Sequence, residues 1–268
     1  MAITTLDQAI AGMQPTRIFS KTASPNATAG RMQSSWGTNG IPGFGNTPST
    51  LVGSNLSSTG GAVQGQLPFT DAPSGLNYLA RFVADMSVSG KVLLCDRLWH
   101  NGGITAVTTL QTVGSPTFPA RDINGQNSGV GVMLGAEYVT TGAASAPTIS
   151  VSYLNTNGIA RSGNNIYPVT ASSTVGAFYQ IAFLAGDVGA QQVTSVQFSS
   201  APTAGSVALV AYRVLAALEI AGPYQAAALD LVTGGMSVAY NGTVPFIIFI
   251  PSAAGAIYIS GATTYTQG

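Results

Sequence analysis

The sequence predicts a mainly β fold, a jelly-roll-like sandwich or barrel with an extended N-terminal arm and one or two short helices. Two observations carry the β assignment. Ile149, Val151 and Tyr153 alternate with Ser150 and Ser152, and Val196 and Phe198 alternate with Ser195 and Gln197, which is the period of strands with one buried face. Asn-Gly turn signals stand between apolar segments at Asp122–Gly125 and Asn155–Gly158. A third observation carries the arm: from Met1 to about Leu67 the chain is dense in Gly, Ser, Thr, Asn and Pro and too thin in apolar residues to hold itself in place.

Element by element, the arm opens with a helix signal. Thr5 and Gln8 have capping-box spacing, and Leu6, Ile10 and Met13 share one face before Gly12 and Pro15 stop the run. From Pro68 onward strands are expected over Gly131–Val139 and Ala177–Ala185, besides those already named. The continuous apolar run Val207–Leu218 marks a strand buried on both faces. A second helix is expected from Pro223 through Ala226–Leu229, ended by Gly234 and Gly235. Phe246–Ile250 and Ala256–Ile259 read as a closing hairpin. The change of texture near Leu67 divides the chain into an arm, 1–67, and a β-rich domain, 68–268.

Charge narrows the function classes. Nine Lys and Arg balance nine Asp and Glu, so only 7% of the 268 residues are charged, against about 25% in an ordinary soluble domain. A surface built from Ser, Thr, Asn, Gln, Gly and Ala suits lasting contact with other protein. The basic residues, Arg17 through Arg213, are scattered singly and form no patch for nucleic acid. No secretory signal is expected, because Met1–Pro15 carries Asp7 and no Lys or Arg. The most apolar stretch, Val207–Ile220, is too short for a membrane span and holds Arg213 and Glu219.

Chemistry-bearing residues are sparse. The densest run is Cys95-Asp96-Arg97-Leu98-Trp99-His100, which contains the single cysteine and the single histidine. A thiol nucleophile and its base usually come from distant parts of a fold, so a structural role is expected: Cys95 as a buried hydrophobe, with Asp96 and Arg97 paired to neighbours. One His and one Cys do not make a zinc site, and seven Asp with two Glu spread along the chain do not make a calcium site. No catalytic, cofactor-binding or metal-ligating residue is therefore expected.

Met1–Pro15, Leu93–Gly103, Arg213–Ile220 and Tyr240–Phe246 together resemble virion structural proteins of tailed bacteriophages, through most of the chain and without a biochemical motif. The resemblance implies a non-enzymatic virion component, and its place among head proteins favours a capsid cement or decoration protein. Such a protein would be made in the host cytoplasm and bind the major capsid protein. It would also self-associate, with a trimer as the expected state. Neither nucleic acid nor membrane is an expected partner. A tail or adsorption-apparatus protein is the alternative, with a carbohydrate-binding β protein behind it. Leu6, Ile10, Met13, Phe19, Trp36 and Phe44, large apolar residues in a segment with no core of its own, are the expected contact residues.

Overall fold

Alternating side chains rather than helical faces organise the molecule. A computed structural model, which describes every residue except 1–2, 23–25, 106, 143–144, 202–203 and 236, places 43% of the described residues in strands and isolated bridges and 2% in one short helix. Helix α1 (Leu6–Ala11) precedes β1 (Arg17–Thr22), β2 (Gln33–Ser34), β3 (Gly40–Ile41) and β4 (Ser54–Asn55). Then come β5 (Asn77–Met86), β6 (Gly90–His100), β7 (Gln111–Thr112), β8 (Met133–Tyr138), β9 (Ile149–Asn155) and β10 (Ala160–Asn164). The chain continues through β11 (Phe178–Gln180), β12 (Ala190–Phe198), β13 (Val207–Ile220), β14 (Ala227–Asp230), β15 (Val238–Ala239), β16 (Pro245–Pro251) and β17 (Tyr258–Gln267).

Contacts divide the chain into two units. One comprises Met1–Gly45, Ser57–Asp96 and Val214–Gly268, and the other Asn46–Leu56 and Arg97–Arg213. The change of texture at Leu67 falls inside the first unit.

In the first unit an antiparallel sheet runs in the order β14-β5-β17-β1-β3, with β15 also on β5. A second set of strands joins β6 to β16 and β16 to β2. Phe19, Phe82, Ala84, Met86 and Ile259 of the first sheet meet Val92, Leu94, Ile247 and Phe249 in one buried core. Each of the larger side chains contributes about 1.5–3 kcal/mol by leaving water. Before Pro68 the chain gives this unit strand β1 and the buried side chains Phe19, Trp36 and Leu67. Lys21 points inward from β1. Its ammonium donates to the carbonyls of Thr38 (3.1 Å), Pro42 (2.9 Å) and Gly43 (3.0 Å), fastening that stretch to the strand. Burial lowers its pKa from 10.5 to about 8.

The second unit has its own core, including Leu98, Trp99, Phe118, Tyr138, Tyr153 and Phe198. One sheet runs β10-β9-β12-β7, and in the other β8 pairs with β11 and with Val207–Tyr212 of β13. The Asn155–Gly158 turn closes the β9–β10 hairpin, with Gly158 at φ 73° and Asn155 Oδ1 accepting from the amides of Asn157 and Ile159.

Three sequence expectations change. The helix expected from Pro223 is absent, and Ala227–Asp230 form strand β14 against Arg81–Ala84 of β5. Tyr224 adopts φ 56° and gives its amide to Met86 O, which breaks helical geometry before the alanines begin. The closing strands exist but do not pair with each other: β16 lies on β6 and β2, and β17 on β5 and β1. The run in β13 is buried continuously only over Val207–Arg213, and beyond it Val214, Ala217 and Glu219 are exposed.

Candidate contact surface

The face of the first sheet that points away from the core can be built from strand register. Directly opposed residues in antiparallel strands project to the same side. Phe19, Gly261, Ala84 and Ala227 are opposed and lie on the core side, so the neighbouring register positions lie on the outer side. The middle outer row is Ile18–Ala262–Val83–Ala228, apolar throughout. Ile18 is 68% exposed. On one side of it runs Ser20–Ser260–Asp85, joined by a 2.8 Å hydrogen bond from Ser260 Oγ to Asp85 Oδ1. On the other runs Thr264–Arg81–Asp230, extended by Thr16, whose hydroxyl lies 2.9 Å from that of Thr264. Strand β5 thus presents a cation, an apolar side chain and an anion at Arg81, Val83 and Asp85.

Beyond the Arg81 row stands α1. Thr5 caps it, its hydroxyl accepting from Gln8 N while Gln8 Oε1 accepts from Thr5 N. The small residue faces inward. Ala9 is buried, its carbonyl bonded by the Thr266 hydroxyl, and the helix end at Gly12 comes so near Gln267 O that a Cβ would fall 2.0 Å from it. Leu6 and Ile10 are left 57% exposed and Met13 43%. An amphipathic surface helix ordinarily buries its large apolar side chains. This one presents them to solvent. With Leu231 and the 80% exposed Val232 of the turn after β14, Leu6 and Met13 wall a hollow of about 390 Å³ over Ala80 and Arg81. The Asp230 carboxylate is held below its ordinary range by the amide and hydroxyl of Thr233 and the amide of Val232, which fixes that turn.

Of the six expected contact residues, Leu6, Ile10, Met13 and Phe44 are exposed. Phe19 and Trp36 are corrections. Phe19 stacks on Phe82 and Trp36 meets Phe246 edge-on, both within the core of the first unit, because a segment poor in apolar residues still anchors with the few it has. Register reveals what the sequence reading missed, the outer row and its flanking charges. The signal was present in Arg81, Val83 and Asp85, which alternate with Phe82, Ala84 and Met86.

The chemistry-bearing run is enclosed. Cys95 is buried, and burial together with Asp96 pushes its thiol pKa up, away from thiolate formation. Asp96 accepts from Val244 N at 2.9 Å. In the second unit Arg97 pairs with Glu137 at 2.7 Å and donates from Nε to His100 Nδ1 at 3.3 Å. Burial and the adjacent guanidinium lower His100 to about 2, so it stays a neutral acceptor.

No family model matches the chain, and no curated protein matches it. Among solved structures, the VP2 subviral particle of infectious bursal disease virus is similar at 11% identity over 96% of this chain and 81% of that one, with a TM-score of 0.19. The structure of the Gt strain of that virus gives 10% identity, 95% and 82% coverage, and again 0.19. At such TM-scores the likeness carries no inference.

Proposed function

We propose that this chain is a non-enzymatic structural component of a virion, a cement or decoration protein that binds the major capsid protein and stabilises the shell. The observation that carries the reading is the outer face of the first sheet with α1: an apolar row, a hollow and an outward-turned apolar helix on a chain with 18 charged residues in 268. Large apolar surface that the fold leaves uncovered marks a site of contact with other protein. The resemblance of Met1–Pro15, Leu93–Gly103, Arg213–Ile220 and Tyr240–Phe246 to phage virion proteins supports the same assignment. A cement role needs no strong single site, since weak contacts repeated around a shell add by avidity.

The test uses shells assembled without this chain. Purified protein is added, the shells are sedimented, and the temperature at which they open is measured. Binding throughout the shell with a higher opening temperature is expected. Absence from the pellet together with an unchanged opening temperature overturns the cement role, and binding of only a few copies per particle favours the tail.

A further inference from the structure

We propose that two copies of this chain pair face to face through the outer side of the first sheet, about a twofold axis running along the row Ile18–Ala262–Val83. The pairing names a second copy as the partner of the face on which the virion reading rests, and a chain that stays monomeric would overturn the pairing while leaving the shell-binding test above to decide that reading. In a twofold contact the same patch meets itself, so the patch must be its own complement.

Two independent features of this face meet that demand. The first is charge. Arg81 and Asp85 lie two residues to either side of Val83 on β5, each about 7 Å from it along the strand. A half-turn about the row exchanges the two sides, setting each Arg81 opposite the partner copy's Asp85 and each Asp85 opposite its Arg81, while Asp230 stays beside Arg81 of its own chain. Apolar side chains then meet along the axis, Ile18 on Ile18 and Val83 on Val83. A face of one sign would repel its own copy. A foreign partner would place no such symmetry on the pattern.

The second feature is shape. Tyr258, 53% exposed, projects on the outer side four residues before Ala262 along β17. Met13, which walls the hollow, bridges to Thr266, four residues after Ala262. The same half-turn therefore carries each tyrosine ring over the other copy's hollow between Leu6, Met13 and Val232. An aromatic side chain entering an apolar hollow is the usual anchor of a protein contact. This geometry favours a dimer over the trimer expected from the sequence, because a threefold contact joins two different surfaces.

Sedimentation of the full chain over a range of concentrations tests the pairing, with circular dichroism to confirm that each variant folds. Wild-type protein is expected to dimerise. Arg81→Asp and Asp85→Arg each set like charges opposite one another and weaken the dimer about tenfold or more, and the double variant Arg81→Asp/Asp85→Arg restores it. Ile18→Lys, at a position outside the core, brings two ammonium groups together on the axis and also disrupts the dimer. A wild-type chain that stays monomeric at its highest soluble concentration overturns the proposal. So does a dimer that a folded Ile18→Lys chain retains, or a folded double variant no stronger than the single ones.

Discussion

Replacing Lys21 by Met isolates the cost of burying an ammonium without a carboxylate beside it. Three carbonyls, of Thr38, Pro42 and Gly43, accept from Nζ at 2.9–3.1 Å, so at neutral pH the substitution loses those bonds and destabilises the chain by about 1–3 kcal/mol. The pH dependence is more telling. Desolvation lowers the folded-state pKa from 10.5 to about 8. Between those values the unfolded chain keeps the proton that the folded chain has released, and stability from this group therefore rises with pH. A gap of 2.5 units at about 1.36 kcal/mol each amounts to about 3 kcal/mol. Urea denaturation of both proteins from pH 7 to pH 10 checks it: the stability difference, wild type minus Lys21→Met, should grow by about 2–3 kcal/mol over that range. Parallel pH profiles for the two proteins would refute the account of Lys21 as a buried charge that the fold holds against its solvation.

Other substitutions read single contacts. Glu137→Gln leaves the Arg97 guanidinium buried without its 2.7 Å carboxylate partner and should cost about 3–5 kcal/mol in urea denaturation. Gly45→Ala places a Cβ 2.3 Å from the ring of the buried Trp36 and should cost about 1–3 kcal/mol, visible as a lower Tm and altered Trp fluorescence. Thr5→Ala removes the cap of α1 and should weaken the helix by about 1 kcal/mol. Hydrogen exchange should then quicken at Gln8 and Ala9 while the β5 amides keep their protection.

The β class was legible because half-buried strands impose a period of two, visible in Ile149–Tyr153 and again at Ser195–Phe198. The cap of α1 was legible because it depends on two residues at fixed spacing, Thr5 and Gln8. Strand pairing was not. Phe246–Ile250 and Ala256–Ile259 are close in sequence with a turn-like stretch between them, and nothing local records that each instead pairs with strands from much earlier in the chain, Gly90–Asp96 and Asn77–Met86. The alanines at 226–228 favour helix by intrinsic propensity, and β5 overrides it by offering an edge. The polar segment around Phe19 and Trp36 suggests contact residues, whereas their burial depends on partners distant in sequence, Phe82 and Phe246. The contact surface shows the same limit from the other side. Leu6, Ile10 and Met13 could be picked from their spacing, but the row Ile18–Ala262–Val83 exists only once three distant strands are in register.

The copy number of the chain in purified particles, measured by quantitative mass spectrometry against the major capsid protein, tests the central claim most directly. The cement account predicts a ratio near one to one. Absence from the particles would contradict a virion role altogether, and a ratio of a few per cent or less would contradict the shell-wide one.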